Sequence, residues 1–353
     1  MKVLVTGHDG YIGHALVPLF LAAGHELVGL DSFLYRECAF AAEPPPLVPA
    51  TWKDIRDVAA DDLSGYDSVV HLAAISNDPL GDYEPETTYD INYHATLKLA
   101  ELAKQAGVPR FLFSSSCSTY GAAGDAILDE TAAFNPVTPY GKSKIFAEEA
   151  LRRLADDSFS PVYLRSATAF GVSSRLRGDL VLNNLVGYAY TTGEVLIMSD
   201  GTPWRPLVHI EDIARAFLAA LEAPLDAVHD EAFNVGRTDE NFQVSDIARI
   251  VAEVVPGSRV VYAPDGGPDA RSYRVDFDKI RRSLPAYEPR WTVRRGAEEL
   301  HDAYRSVGLT RAELESARFL RIKRVKELQT HGLLDVNLRP LHLADARNLV
   351  AGS

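Results

Sequence analysis

The chain has 353 residues, and at roughly 150 residues per domain this length suggests about two domains. Hydrophobic residues make up 46% and charged residues 24% of the sequence, a balance that is typical of a globular protein with a substantial core. The formal net charge of −13 argues against binding to nucleic acid or to an anionic membrane, because both need a basic protein surface. We expect any positive charge that binds an anionic ligand to be local.

The cysteine count and the N-terminus exclude several further classes. Two cysteines, Cys38 and Cys117, are too few for a disulfide framework or a zinc cluster, and we expect no metal site. The sequence contains no apolar run of about 18 residues or more, the length that spans a bilayer. The N-terminus does not have the pattern of a signal peptide. We therefore predict no membrane association and a cytoplasmic location.

Short β-branched segments alternate with longer helical patterns over the first 170 residues. This alternation predicts a parallel sheet that is covered by helices on both faces, with right-handed crossovers. We predict an α/β fold, in which a Rossmann-like doubly wound parallel sheet is joined by a smaller, mixed α/β substrate domain. The predicted strands lie at 3–6, 26–31, 68–73, 110–116 and 162–168, and the predicted helices at 11–23, 87–106 and 140–156.

The second half of the chain has shorter elements with strong turn signals between them. We predict that residues 1–170 form a dinucleotide-binding Rossmann domain, to which the segment 206–236 returns. Residues 171–205 and 237–310 are then the substrate-binding domain. Residues 311–353 form a C-terminal helical extension.

The predicted extension carries a basic cluster and an apolar stripe. Phe319, Ile322 and Val325 follow helical spacing and predict a packed face. We expect the basic side chains to cover the solvated face of this helix, with a subunit contact or a phosphate clamp as the alternatives. The five basic residues are Arg318, Arg321, Lys323, Arg324 and Lys326.

A glycine-rich turn follows the first predicted strand. Gly7 permits the sharp turn from strand to helix, Gly10 lets the backbone approach a diphosphate, and Gly13 allows the helix to pack closely on the strand. The start of the helix presents free N–H groups and the positive end of the helix dipole to phosphates. The spacing therefore predicts a dinucleotide site, with a purely structural turn as the alternative.

An acidic residue at the end of the second predicted strand indicates which dinucleotide is bound. Asp31 follows Gly13 by 18 residues, where a carboxylate accepts hydrogen bonds from the adenosine ribose. Because a carboxylate repels a 2′-phosphate, we predict NAD as the cofactor. Further cofactor contacts are expected at the second and third crossovers, from Asp54, Ile55, Leu72, Ala73 and Ala74.

A tyrosine and a lysine at helical spacing form the candidate catalytic pair. Tyr140 and Lys144 lie on one face of a helix that begins after Pro139. The ordinary pKa of tyrosine, about 10, is too high for a base at pH 7, but a neighbouring ammonium and an oxidised nicotinamide both lower it. The serines at 114–116 end a strand of the predicted sheet at its ligand crevice, where a hydroxyl can bridge the tyrosine and the substrate.

In combination, these motifs resemble the extended short-chain dehydrogenase/reductase superfamily, specifically its NAD-dependent epimerase/dehydratase branch that acts on nucleotide sugars. The resemblance extends to about residue 300. It implies that Ser116 is the catalytic serine, that Tyr140 is the base, and that Lys144 lowers the pKa of that base and holds the nicotinamide ribose. The predicted cofactor-binding residues are Gly7, Gly10, Tyr11, Ile12, Gly13, Asp31, Asp54, Ile55, Leu72, Ala73, Ala74, Asn92, Tyr140 and Lys144.

The second half is similar in places to UDP-galactose 4-epimerases. The segment 183–185 resembles the stretch whose backbone receives the sugar diphosphate, and Arg205 falls where those enzymes place a phosphate-binding arginine. One departure is Thr168, which stands where the 4-epimerases have asparagine, so the resemblance does not name the sugar. The predicted substrate-binding residues are Ser116, Thr168, Asn183, Asn184, Leu185, Arg205 and Arg271.

The residue two positions after Ser116 bears on the reaction. Dehydratases and decarboxylases that this chain resembles keep an acid there, whereas this sequence has Ser118. A hydroxyl cannot replace a carboxylate as a general base, so both reactions are disfavoured. We favour C4 epimerisation of a nucleotide-diphosphate sugar through a transient 4-keto sugar. An NAD(P)H-dependent 4-ketoreductase is the alternative, and a dinucleotide-binding sensor without turnover is less favoured.

The resemblance also implies an oligomer. The helices predicted at 87–106 and 140–156 match the pair through which family members commonly form a four-helix contact. We therefore expect a homodimer.

Overall fold

The computed structural model describes residues 1–40, 47–76, 78–267 and 271–341. Its centre is a seven-stranded sheet in which every neighbouring pair is parallel. The strands run in the order β11-β7-β5-β4-β1-β2-β3, so the order reverses between β1 and β4. These strands are β1 (Lys2–Thr6), β2 (Glu26–Asp31), β3 (Ala50–Trp52), β4 (Ser68–His71), β5 (Arg110–Ser116), β7 (Ser160–Ser166) and β11 (Glu231–Val235).

Within the described residues, three smaller sheets lie outside this sheet, and they include both parallel and antiparallel pairs. The first is three-stranded and the other two are pairs. Together with the main sheet they confirm the predicted Rossmann-like fold with a smaller mixed part. Their strands are β8 (Thr168–Phe170), β10 (Trp204–His209) and β12 (Asn241–Gln243), then β9 (Glu194–Ser199) with β13 (Arg259–Gly267), and β6 (Ala122–Leu128) with β14 (Ser272–Val275).

Twelve α-helices are found in the described residues, and within those residues no helix is long and apolar enough to cross a membrane. Shorter 3-10 turns lie at Ile55–Asp57, Ala60–Leu63, Cys117–Tyr120 and Leu225–Ala227. The α-helices are α1 (Gly13–Ala22), α2 (Asp78–Tyr83), α3 (Pro85–Tyr89), α4 (Ala95–Gln105), α5 (Pro139–Arg152), α6 (Val181–Thr192), α7 (Ile210–Glu222), α8 (Val244–Val254), α9 (Asp278–Ser283), α10 (Val293–Val307), α11 (Arg311–Leu314) and α12 (Arg321–Thr330).

The sheet is buried on both faces, as the β-branched strand sequences predict. On one face Val3 and Val5 pack with Leu16 and Phe20 of α1. On the other face Leu4 packs in a separate apolar cluster that includes the buried residues of α4. Alternate residues of one strand therefore serve the two opposite layers, which fixes the register of the sheet.

The helix predicted at 87–106 is not continuous. A π-helical turn at Asp90–His94 separates α3 from α4. This turn brings the fully buried Asn92 side chain to the backbone of Ile75, where it donates to the carbonyl oxygen over 2.9 Å and accepts from the N–H over 2.8 Å. The extra residue in the turn lets the polar side chain satisfy the loop that follows β4.

We expected the basic residues of the C-terminal extension to face solvent, but one of them is buried. Arg321 is 4% exposed and lies against the body of the protein. Val325 and Leu328 of α12, together with Leu334 and Leu338, pack on the loop after β4. The predicted stripe is met only in part, because Phe319 precedes α12 and packs in another apolar cluster, while Val325 lies on the buried face of the helix, which also includes an arginine.

Candidate active site

A cavity of about 870 Å³ lies at the carboxyl ends of the main-sheet strands. It opens at the reversal between β1 and β4, the place where doubly wound sheets bind their ligands. The predicted site residues that line it are Gly7, Gly10, Tyr11, Ile12, Gly13, Asp31, Asp54, Ile55, Leu72, Ala73, Ala74, Ser116, Tyr140, Lys144, Thr168, Asn184, Leu185, Arg205 and Arg271.

The glycine turn has the geometry of a diphosphate cradle. Gly7 has a φ of +75°, and a Cβ atom there would lie 2.6 Å from the backbone nitrogen of Ala73. A Cβ atom on Gly13 would lie 2.2 Å from the carbonyl oxygen of His8. Within the described ranges, the backbone N–H groups of Tyr11, Ile12 and Gly13 have no hydrogen-bond acceptor in the protein. Three donors at the start of a helix are therefore available to a diphosphate.

Asp31 is held beside this turn by backbone hydrogen bonds. Its carboxylate accepts from the N–H of Asp9 over 3.0 Å and from the N–H of Phe33 over 2.8 Å. Burial raises the pKa of Asp31, while the two N–H donors and His8 act in the opposite direction. The residue lies on the cavity wall, as a ligand of the adenosine ribose must.

Asp54 lies on the same wall, but its carboxylate is engaged by a neighbour. It accepts from the backbone N–H of Arg56 over 2.9 Å, and from the guanidinium over 2.9 Å at Nε and 2.6 Å at Nη2. Ile55 lines the cavity beside it. In this structure Asp54 therefore orients Arg56, and Ile55 supplies apolar surface.

The catalytic helix α5 begins with a side-chain cap. The hydroxyl of Thr138 accepts from the N–H of Gly141 over 3.1 Å, and Pro139 occupies the first turn, where its missing N–H costs nothing. Tyr140 and Lys144 follow on one face of the helix. The Lys144 ammonium donates to the carbonyl oxygen of Ser114 over 2.7 Å and lies 5.8 Å from the centre of the Tyr140 ring.

Burial dominates the titration of this pair. Burial raises the pKa of Tyr140 to about 12. The hydrogen bond with Ser116 and the positive charge of Arg177 lower this pKa, but their effect is smaller. Burial also lowers the pKa of Lys144 to about 7. The expectation that Lys144 brings the tyrosine pKa below its ordinary value is therefore not met by the protein groups alone, because desolvation of the phenolate is the larger effect.

Four of the predicted substrate residues line one end of the cavity, namely Asn184, Leu185, Arg205 and Arg271. The side-chain amide of Asn184 donates to the carbonyl oxygen of Gly178 over 2.8 Å. Arg271 forms a 2.8 Å ion pair with Asp78, and Arg205 donates to the carbonyl oxygen of Arg271. Two arginine side chains thus lie at this end of the cavity, in a protein with a net charge of −13. They are the cationic groups expected for an anionic ligand, and one of them, Arg271, is paired with Asp78.

Position 118 contributes a hydroxyl to the cavity. Ser118 follows Ser116 on the 3-10 turn after β5, and its N–H donates to the Ser116 hydroxyl over 3.1 Å. Within the residues that the structure describes, its own hydroxyl has no hydrogen-bond partner. The same part of the chain contains no group of three or more histidine, cysteine or carboxylate side chains that could hold a metal ion.

Two predicted contact residues lie behind the cavity wall. The Asn92 amide also donates to the hydroxyl of Ser143 over 3.1 Å, so it connects the loop after β4 to the catalytic helix. Asn183 accepts from the N–H of Gly171 over 3.1 Å and donates to the Tyr11 hydroxyl over the same distance. Both side chains are fully buried and absent from the cavity lining. Both amides hold neighbouring segments of the fold together, and ligand contact by Asn92 and by the backbone of the segment 183–185 stays a prediction.

Sequence reasoning missed Arg177, a charged residue of the lining. Its guanidinium pairs with Asp179 over 3.0 Å and donates to the carbonyl and hydroxyl oxygens of Ser76 over 3.2 and 3.1 Å. It also lowers the pKa of Tyr140. The sequence shows only an arginine in a loop, since nothing local indicates that the loop folds back across the cavity.

Comparison with known proteins decides the family. The sequence profile described as the NAD dependent epimerase/dehydratase family matches residues 3–236, which is more than half of the chain. The chain belongs to the NAD-dependent epimerase/dehydratase family. It is therefore an NAD-dependent enzyme, and the glycine cradle, Asp31 and the cavity fit that cofactor.

Relatives of this family member cover most of its length. UDP-glucose 4-epimerase from Bacillus subtilis is 31% identical over 331 residues, covering 85% of this chain and 94% of the relative. A structure of UDP-glucose 4-epimerase from Thermotoga maritima with UDP-glucose is 25% identical, with a TM-score of 0.75, and covers 88% of this chain and 100% of that one. MoeE5 in complex with UDP-glucuronic acid and NAD is 27% identical, with the same TM-score of 0.75, and covers 87% and 100%.

Proposed function

We propose that this family member catalyses epimerisation at C4 of a nucleotide-diphosphate sugar. The observation that carries the proposal is that the hydroxyls of Ser116 and Tyr140 and the ammonium of Lys144 line one cavity, while position 118 holds a serine. The similarity to UDP-glucose 4-epimerases along most of the chain supports the same reaction. C4 oxidation and reduction need a proton acceptor and a hydride carrier, and they need no second acid.

In this proposal Tyr140 accepts the proton of the sugar hydroxyl at C4 and later returns it. When bound, NAD supplies the hydride acceptor and donor for C4. The phenolate must form against burial, so each group that stabilises it matters. The hydrogen bond from Ser116 and the positive charge of Arg177 both stabilise it, and the same Ser116 hydroxyl can bridge the tyrosine and the sugar oxygen.

Lys144 keeps the pair in position. The ammonium donates to the carbonyl oxygen of Ser114 near the end of β5, so this bond connects the catalytic helix to the catalytic strand. The other N–H donors of the Lys144 ammonium can bind the ribose of the cofactor, as the family resemblance implies. Its role is therefore to orient the reacting groups as much as to supply charge.

The substrate diphosphate would bind between Arg205, Arg271 and the start of α6. Asn184 and Leu185 of α6 line this end of the cavity. Asp78 neutralises Arg271 in the structure described here, and a diphosphate would compete with that carboxylate for the guanidinium. In this ion pair the carboxylate of Asp78 is bound to Arg271, which is consistent with a reaction that uses no carboxylate base.

The test is an assay of the purified protein with a panel of UDP-, dTDP-, GDP- and CDP-sugars and no added cofactor. Conversion of one sugar to an isomer, seen by NMR and anion-exchange chromatography, is the expected result. Turnover of a 4-keto sugar only when NADH or NADPH is supplied would assign the chain to the ketoreductases. A product that has lost water would assign it to the dehydratases.

We further propose that the protein is a homodimer that pairs through α4 and α5. The proposal is supported by an aromatic patch beside these helices, formed by Tyr89 of α3, Tyr93 of the π-helical turn and Phe146 of α5. The ring of Phe146 is 43% exposed, and its centre lies 6.0 Å from that of Tyr89 and 5.8 Å from that of Tyr93. Tyr89 and Tyr93 are half-buried, and clustered aromatic rings at a surface are typical of the core of a protein interface. Location in the cytoplasm remains a prediction.

A further inference from the structure

The C-terminal extension crosses the three loops that surround the adenosine half of the cavity. Near the loop after β2, Arg318 donates to the carbonyl oxygen of Phe40 over 3.2 Å. Near the loop after β3, Arg56 donates to the carbonyl oxygen of Asn337 over 2.8 Å, and Arg339 pairs with Asp57 over 2.6 Å. The extension therefore connects two loops, and a dinucleotide must pass between these loops to bind.

Apolar contacts close the third side. Leu338 packs with Ile75 and Leu80 in the loop and helix that follow β4. Leu338 also lines the cavity, so the extension forms part of the wall and not only its outer support. The extension thus covers the region where Asp31 and Ile55 lie.

Arg321 is the charged residue that the extension presents to this cavity. Its side chain donates from Nη2 to the carbonyl oxygen of Arg175 over 2.7 Å, and its guanidinium lies 4.6 Å from the centre of the Tyr35 ring. Only 4% of the residue is exposed, and it lines the cavity. The Cys38 thiol also lies beside the guanidinium, and among the described residues the Nη1 atom has no hydrogen-bond partner.

The charges around Arg321 leave a positive excess. Arg175 pairs with Asp9 over 2.9 Å, and Arg177 pairs with Asp179 over 3.0 Å. Arg321 itself forms no ion pair with a carboxylate within the described ranges, although it is nine-tenths buried. A buried guanidinium with an unsatisfied donor is costly unless an anion or acceptor compensates it. An anionic ligand in the cavity would supply that compensation.

We propose that Arg321 binds the diphosphate of NAD and that the extension thereby retains the cofactor in its cleft. The cofactor is favoured over the substrate because Arg321 contacts Tyr35, which follows Asp31, and the backbone of Arg175, whose side chain holds Asp9 of the glycine turn. Arg205 and Arg271 serve the other end of the cavity. This assignment goes beyond the proposed reaction and holds whichever reaction the enzyme catalyses.

The test measures binding and not turnover. NAD and UDP are titrated separately into the cofactor-stripped full chain by calorimetry, for wild type, Arg321→Gln, Arg321→Lys and Arg311→Gln. Arg311 is the matched control, because it lies in the same extension with a side chain 62% exposed and paired with Glu315. Circular dichroism establishes that each variant is folded.

Loss of a charge-assisted bond to a buried phosphate should weaken NAD binding about ten-fold in Arg321→Gln, with UDP binding unchanged. Arg321→Lys should recover part of the affinity, and Arg311→Gln should bind as wild type does. Unchanged NAD affinity in a folded Arg321→Gln would overturn the proposal. An equal or greater loss of UDP affinity would also overturn it, because the anion would then be the diphosphate of the substrate.

A second measurement covers the case in which Arg321→Gln does not fold. Hydrogen exchange of the wild-type amides at 321–330 is compared in the stripped protein, with NAD and with UDP. NAD should slow exchange across this helix, and UDP should not. Equal exchange rates with and without NAD would contradict retention by the extension.

Discussion

The carboxylate of Glu148 and the guanidinium of Arg165 form a buried ion pair, with 2.6 Å between Oε2 and Nη2. Glu148 lies one helical turn after Lys144, and Ser115, next to the catalytic serine, donates to its Oε1 atom over 2.5 Å. Side chains from β5, α5 and β7 therefore meet at one carboxylate. The ion pair fixes the catalytic helix against β7, and the Ser115 hydrogen bond fixes it against β5, the strand that carries Ser116.

Breaking this pair should be strongly destabilising. Glu148→Ala leaves the guanidinium of Arg165 buried without its partner, and the expected loss in the free energy of unfolding is about 3–5 kcal/mol. Asp302→Ala is the control, since it removes a pair with Arg305 whose side chains are 66% and 65% exposed, and it should cost about 1 kcal/mol or less. Urea unfolding of the two variants checks the difference, and equal losses would contradict it.

Tyr140→Phe removes the proposed base and leaves the cavity shape unchanged. We expect turnover to fall by about 10²–10⁴-fold, the usual contribution of a general acid–base group. NAD should still bind, because the cradle at the glycine turn is intact. Rates of sugar conversion and an NAD titration are measured on the same preparation. Full activity in the variant would show that Tyr140 is not the base. If neither the wild type nor the variant turned over any sugar, the sensor alternative would be favoured.

The buried lysine predicts a specific pH dependence of stability. Burial lowers the pKa of Lys144 from 10.5 to about 7, so between these values the unfolded chain binds a proton that the folded protein does not. The lysine contribution to the free energy of unfolding therefore rises with pH across this window. Lys144→Met removes that titration.

Denaturant unfolding of wild type and Lys144→Met at several pH values tests this directly. The stability of wild type relative to the variant should increase from pH 7 towards pH 10.5. The comparison cancels groups that titrate equally in both proteins. Parallel stability curves for the two proteins would show that the lysine keeps its ordinary pKa in the folded state.

The aromatic patch formed by Tyr89, Tyr93 and Phe146 predicts the effect of a single charge on assembly. Phe146→Glu places a carboxylate among Tyr89 and Tyr93, where burial in an interface would be unfavourable. Sedimentation velocity should show a dimer for wild type and a monomer for the variant. Tyr83→Glu is a control for an added surface charge, since Tyr83 is 41% exposed and lies outside the patch. If wild type sedimented as a monomer, the dimer proposal would be wrong.

The sequence predicted the sheet and most of the cavity because those features depend on local patterns. The glycine spacing, Asp31 after β2 and the Tyr140–Lys144 pair each sit on an element whose type is evident from its own residues. Parallel strands place their carboxyl ends at one edge, so these motifs meet without further information. Only Asn92 and Asn183 among the predicted ligands turned inward, and both satisfy backbone groups that the sequence does not show.

The rest of the site depends on long-range contacts. Arg177 reaches Ser76 across about a hundred positions of the chain, and Arg321 reaches the backbone of Arg175 across 146. The basic cluster at 318–326 has the composition of a solvated helix face. The burial of Arg321 depends on the residues against which the helix packs, and the sequence of the helix does not show them. Composition therefore misassigned the residue on which our further inference rests.

The central claim is best tested by running the reaction in D₂O with the enzyme and the cofactor that it retains. The account predicts an isomer that differs from the substrate at C4, has the same mass and carries protium at C4, because the hydrogen removed from that carbon returns to it. A product that has lost water, or one with deuterium bound to a ring carbon, would contradict C4 epimerisation.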